Sequence, residues 1–502
     1  MIHSVNKILF VFLICYSVSF TQQKDSLNEK KTIPVLNPLN ELRDQLDDLF
    51  NDSNFSNAFW GVMIKSLRTG EVIYKRNADK LLVPASNMKL FTSSAALLLL
   101  GSDYQYETKI FLNGEIQKGV LLGDVVVQGS GDPTISRRFF TGLDTKIFED
   151  WADTLKAKGV WVVYGDLLGD DSYFDNIGLG KGWSLDYESS WFAAPSGALS
   201  FNDNSLEVII EATEENHPAN ISINPDTKYV SLFSKVTTTD EYSESSVDVK
   251  RIRGTNQLSI TGNIRKNSNP IIEHISISDP TMYFLTVLRE VLERKGIAVK
   301  GKVGTLDSSE KNIDPDDLIP IYTHKSIPLK YILQELNKNS NNFYAEQILK
   351  TIGLEIYNFG TVDNGVKACK ELFNTMGINP DNIVMADGSG LSRLDLVTPR
   401  YIVNLLTYMS KSDEFQSFYD SLPIAGVDGT LIDRMKKTPA ENNVHAKAGY
   451  NNNVSSLSGY LKTISGEPLV FSMIVNNYLA PQALVNYIQD NVCHRLVNFN
   501  RN

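Results

Sequence analysis

Apolar and polar residues alternate in AFWGVMIKSL (58–67) and in EVIYKR (71–76), and Arg68-Thr69-Gly70 between them has the composition of a turn. Together they predict a β-hairpin. From Leu90 to Leu100 the chain is apolar almost all round, which predicts a buried helix opening near Ser86. Residues 106–314 change texture to short strand-like runs such as GDVVVQG and RIRGTNQLSITGNI, rich in Gly, Asn and Ser. Two helical stretches interrupt them, KIFEDWADTLKAKGV and TMYFLTVLREVLERKGI, each ending in Lys-Gly-aliphatic. That echo reads either as two Gly-capped helices or as an internal repeat. The last third returns to long helices, PLKYILQELNKNSNNFYAEQILKTIG and TPRYIVNLLTYM, and then to three strand candidates, NNVHAKAGY, VSSLSGYL and PLVFSMIV. A hairpin, a buried helix, a long interruption, then helices and a terminal sheet predict an α/β (α+β) domain with another region inserted into it. The expected partition is 22–105 with 315–502 for the parent domain and 106–314 for the mostly β insert, read as two nested smaller domains.

The N-terminus, MIHSVNKILFVFLICYSVSFTQQ, has one lysine, an apolar run from Ile8 to Phe20 and then small and polar residues. It reads as a secretory signal peptide over 1–21; the run is shorter than the ~20 residues of a spanning helix, the property of the alternative, a retained anchor. Ile14 before Cys15 is too bulky for lipid attachment, so the expected location is exported, in a periplasm. Two cysteines, Cys369 and Cys493, remain beyond that segment, and sequence leaves their pairing open. A net charge of −11 without clustered Lys or Arg argues against nucleic acid or an anionic membrane as partner.

Three short patterns carry candidate chemistry. Ser86 and Lys89 stand one helical turn apart at the mouth of the buried run, where a lysine kept neutral can take a serine's proton. The plain alternative is a helix N-cap with a solvated lysine. Ser340-Asn341-Asn342 places a hydroxyl and a carboxamide between two helical stretches, where both could face one cleft; taken alone, such a run is more often a helix cap. Lys447-Ala448-Gly449 puts a cation and small residues on a strand, where a substrate backbone could lie close, or where a lysine merely protects a sheet edge.

In that order, S-x-x-K, S-x-N and K-x-G resemble the active-site set of penicillin-binding proteins and serine β-lactamases. Some 250 residues separate Ser86 from Ser340, far more than in β-lactamases. That interval, with GSGDPT at Gly129, GDLLGDDSYFD at Gly165, AAPSGALSFNDN at Ala193, ADGSGLSR at Ala386, LPIAGVDGTL at Leu422 and VSSLSGYL at Val454, resembles the D-alanyl-D-alanine carboxypeptidase/endopeptidase family of low-molecular-mass penicillin-binding proteins. The resemblance implies a penicillin-binding-protein/β-lactamase-like fold and a serine DD-peptidase acting on peptidoglycan stem peptides, inhibited covalently by β-lactams and needing neither metal nor cofactor. It implies Ser86 as nucleophile and Lys89 as base. Ser340 and Asn342 would serve proton relay and substrate binding. Lys447, with Gly449 in its motif, would attract the substrate carboxylate, and the backbone amides of Ser86 and Tyr450 would form the oxyanion hole. Asp170 would meet the side-chain amine of diaminopimelate; a turn aspartate is the alternative. The family's Lys-Thr-Gly and the hydroxyl residue after it are replaced here at Ala448 and Tyr450, which favours as a second reading a weakened wall-binding protein. A β-lactamase is a third. Oligomeric state and the carboxypeptidase-endopeptidase balance are not legible.

Overall fold

The computed structural model describes residues 37–140, 144–309, 311 and 313–501; the expected signal peptide lies outside them. The expected hairpin is present as β1 (Phe59–Ser66) and β2 (Val72–Arg76), and the three C-terminal runs are β3 (His445–Asn451), β4 (Val454–Lys462) and β5 (Pro468–Asn476). They form one antiparallel sheet in the order β3-β4-β5-β1-β2. Chain ends far apart in sequence thus meet at its centre, where β1 pairs with β5.

Both faces of this sheet are covered, so its strands are apolar on both sides. On one face Met63, Val470 and Ile474 pack with residues of helix α2 (Met88–Leu100), α3 (Leu329–Lys338) and α4 (Asn342–Tyr357), including Phe91, Leu333 and Ile348. On the other, Val62, Ile64, Phe471 and Met473 pack with Leu46 and Phe50 of α1 (Pro38–Phe50) and with Val485 and Val492 of α5 (Gln482–Val497). Met63 against Val62, and Ile474 against Met473, show the period-2 alternation dividing one strand between two cores. Cys369 and Cys493 are unpaired and lie one in each of these cores.

The region between α2 and α3 carries three further sheets around one continuous core that includes Val125, Trp151, Phe201, Ile260 and Phe284. Strand Ile319–Lys325 pairs with Glu107–Gln117, so the sheet entered at Glu107 closes beyond residue 314. The Lys-Gly echo has a structural counterpart. Helices Lys146–Ala157 and Pro280–Arg294 end in the same pattern, Val160 N–H donating to Leu155 O and Ile297 N–H to Leu292 O across a left-handed glycine (φ 86° at Gly159, 85° at Gly296). This six-residue closure is the Schellman cap, which a glycine adopts without strain. The strands that follow, Val162–Val163 and Ala298–Val299, lie side by side in parallel.

Candidate active site

The three patterns converge. Ser86 sits in a single 3-10 turn (Ala85–Asn87) that leads into α2. Ser86 does not cap this helix and Lys89 is not solvated, as the plain alternative would have it: Asn87 occupies the cap position, without a side-chain cap hydrogen bond. The Ser86 hydroxyl instead accepts from Lys89 Nζ at 3.2 Å. Lys89 is fully buried and donates also to Asn342 Oδ1 (2.6 Å) and to the Ser389 carbonyl (2.8 Å). Burial lowers its pKa from 10.5 to about 8, against the opposing pull of the buried Asp387, Glu346 and Asp395 carboxylates. An amine so placed is neutral in a usable fraction near pH 8, which suits a general base.

Ser340 stands at the break between α3 and α4 with φ 56°, a left-handed residue that lets Asn341 cap α4 and turns the Ser340 hydroxyl toward the sheet. That hydroxyl accepts from Lys447 Nζ at 2.9 Å; Lys447 donates as well to its neighbour's carbonyl, Ala448 O, at 2.7 Å. Lys447 is fully buried, and desolvation, followed by the nearby Lys89, lowers its pKa well below the ordinary value. Among the described residues neither Lys89 nor Lys447 forms an ion pair.

Gly449 runs close beside the Ser86 turn. A Cβ there would lie 2.8 Å from the Ser86 amide nitrogen and 2.4 Å from Ser456 Oγ, so only glycine allows β3 to pass this near. Ser86, Ser340, Ala448, Gly449 and Tyr450 line a cavity of about 310 Å³ together with Ser455, Ser456, Thr430, Arg434, Gln482 and Asn486. Tyr450 is exposed at its rim.

Asp170 stands apart from this cavity. It ends the buried strand Leu167–Asp170 in the inserted region, and its carboxylate accepts from Gln128 Nε2 (2.7 Å) and Ser172 Oγ (2.6 Å).

Sequence reasoning missed several residues that shape the site. Asn87 Nδ2 donates to Lys447 O at 2.8 Å while its Oδ1 accepts from Ser458 Oγ at 2.5 Å, pinning the Ser86 turn to β3 and β4. Glu346 and Asp387 lie behind Lys89; burial raises the Glu346 pKa from 4.5 to about 8, with Asp387 adding to it. Asn87, Ser458 and Asp387 all fall in runs that mark the family resemblance, the one signal that could have singled them out.

An antiparallel sheet flanked by helices, with a serine, a lysine one turn on and a second lysine on the edge strand, defines the penicillin-binding class of serine enzymes. Residues 42–496 match the D-Ala-D-Ala carboxypeptidase 3 (S13) family, and the chain belongs to it. It is 33% identical over 472 residues to the D-alanyl-D-alanine carboxypeptidase of Actinomadura sp. (strain R39), covering 92% of this chain and 85% of that protein. It is 28% identical to the D-alanyl-D-alanine carboxypeptidase DacB of Haemophilus influenzae, covering 83% and 85%. Among solved structures, penicillin binding protein 4 (dacB) from Haemophilus influenzae matches with a TM-score of 0.79 at 26% identity over 90% of this chain and 99% of that one. The same protein complexed with a novel β-lactam matches with a TM-score of 0.74 at 26% identity over 89% and 98%.

Proposed function

We propose that this S13 enzyme is an exported peptidoglycan DD-peptidase working through an acyl-enzyme on Ser86. The observation that carries the proposal is the buried Lys89 ammonium group, hydrogen-bonded to no carboxylate, at 3.2 Å from the Ser86 hydroxyl. Neutral Lys89 takes the Ser86 proton as Oγ attacks the carbonyl carbon between two D-alanines. The backbone amides of Ser86 and Tyr450 receive the developing oxyanion. The bond to the terminal D-alanine breaks as its amine gains a proton through Ser340, and water then releases the shortened peptide from Ser86. Lys447 favours the substrate's terminal carboxylate, and that anion in turn favours the Lys447 ammonium. Asn342 holds Lys89 and offers its amide to the stem peptide. The same chemistry serves a D-alanyl cross-link, and a β-lactam carbonyl would trap the enzyme at the acyl stage. We further propose that the region from Glu107 to Lys325, closed by its last strand, is an accessory region inserted in the catalytic domain, that Asp170 contributes to amine recognition, and that the N-terminal segment directs export to the periplasm.

Ala448 lines the cavity where the family places a threonine hydroxyl, which supports a second reading: slow turnover with retained wall binding. One experiment addresses the main proposal. Labelled penicillin mixed with the protein should add a single acyl mass that maps to Ser86, and Ser86→Ala should not label while keeping its fold. Labelling that persists in Ser86→Ala would remove the assignment.

A further inference from the structure

Two of the three acceptors that surround the Lys89 ammonium are held by a single segment of the inserted region, residues 180–193. The first route runs through Asn342. Its Oδ1 accepts from Lys89, and its Nδ2 donates to the Phe192 carbonyl at 2.8 Å, in the 3-10 turn Trp191–Ala193. A carboxamide has one donor end and one acceptor end, so the Phe192 carbonyl fixes which end faces Lys89.

The second route runs through the loop 387–394. Trp183 Nε1 donates to Asp387 Oδ2 at 2.8 Å. That buried carboxylate also accepts from the amides of Gly390 and Ser392, each at 2.7 Å, and from Ser389 Oγ at 3.3 Å. It therefore shapes the turn whose Ser389 carbonyl meets Lys89. Two further contacts fasten the segment to this loop. Ser392 Oγ donates to Lys181 O at 2.7 Å, and Gly182, with φ 80°, packs so close to the loop that a Cβ there would lie 2.7 Å from Leu394 Cδ1.

We propose that segment 180–193 is a positioning strap: by holding Asn342 and the Asp387–Ser389 turn it keeps Lys89 directed at Ser86, so that the inserted region is part of what makes acylation fast. This rests on the assignment of Ser86 and Lys89 above. Trp183 is the positioning residue that can be changed most cleanly, because Trp183→Phe removes the N–H donor and keeps an aromatic ring. Its loss would leave the Asp387 anion less stabilised and the Ser389 turn less fixed. With the turn less fixed, the Ser389 carbonyl accepts less well from Lys89, and weakening a hydrogen bond from the ammonium disfavours the charged form, so the acid limb of the acylation profile should also move to lower pH.

The test uses the full exported chain, titrated for active sites with a chromogenic penicillin, and follows the acylation rate constant against pH. Trp183→Phe should lower the plateau rate about tenfold and shift the acid limb downward, with the adduct still on Ser86 and the melting temperature near that of wild type. Ser392→Ala should lower the plateau in the same direction by less, and carries the test if Trp183→Phe does not fold. Tyr242→Ala, at an exposed side chain of the insert away from the strap, should leave both quantities unchanged. Wild-type plateau and acid limb in both strap variants, with labelling still at Ser86, would overturn the strap alone. An adduct that survives Ser86→Ala would overturn the site assignment instead.

Discussion

Among the described residues three lysines are fully buried, and they divide between two regions with opposite solutions to the same problem. Where the inserted region docks on α4, Lys350 Nζ meets Asp175 Oδ1 at 2.7 Å and the Ile177 carbonyl at 2.8 Å, a completed ion pair. Gln347, one turn earlier on α4, donates to Gly131 O and Gly197 O and accepts from the Gly197 amide. In the Ser86 cavity, Lys89 and Lys447 have only hydroxyl, carboxamide and carbonyl partners. A buried cation with a carboxylate partner keeps its charge and serves as a fastener; without one it is pushed toward neutrality, at a cost to stability, and becomes available for proton transfer. Burial therefore does not separate these three lysines, whereas a directly paired carboxylate does.

The largest expected effect breaks the reactive side of that comparison. Lys89→Ala should slow penicillin acylation by about 10²–10⁴-fold with little change in substrate binding, and stopped-flow acylation measured against KM reads both. In the wild type, the neutral fraction of Lys89 should fall about tenfold per pH unit below its pKa, so the acylation rate should decline on the acid side of about pH 8. A flat profile from pH 6 to 8 would assign the base elsewhere.

The fastening side is broken by Lys350→Met. It strands the Asp175 carboxylate, which is mostly buried, and should destabilise the fold by about 3 kcal/mol, toward the low end for breaking a buried pair. Denaturant unfolding reads this loss, while the acylation rate per titrated site should change only a few-fold. A large rate loss with unchanged stability would reverse the roles given to the two regions.

A smaller change sharpens the picture at Lys447. A threonine hydroxyl at position 448 would add a hydrogen bond to the substrate carboxylate, worth about 1.5–3 kcal/mol, so Ala448→Thr should raise kcat/KM on a D-Ala-D-Ala pentapeptide by roughly ten- to a hundredfold. No increase would mean that Tyr450, or another group of the cavity, already holds that carboxylate. The smallest effect is expected at Asp170. Because its carboxylate is engaged by Gln128 and Ser172 outside the cavity, Asp170→Ala should leave penicillin acylation unchanged. Loss of a preference for free-amine over acetylated muropeptides in this variant would support its recognition role, and an unaltered preference would remove it.

The chain alone determined which segments become strands and buried helices, since alternation and all-round apolarity are local properties, and it determined the three reactive patterns, because their spacings are set within one turn or one strand. The resemblance carried by its motif runs fixed the family. Only the tertiary structure decided that Ser86 leaves the helix uncapped and faces Lys89 instead, because cap and nucleophile geometries differ by a rotation about a few backbone bonds. It alone separated Lys350 from Lys89 and Lys447, since a lysine's partners come from residues such as Asp175 and Asn342 that lie far from it in sequence. It also decided that Asp170 ends a strand with its carboxylate already hydrogen-bonded to Gln128 and Ser172, and that Trp183 and Phe192 of the insert reach the neighbours of Lys89. Long-range packing brings such groups together, and no local pattern encodes it.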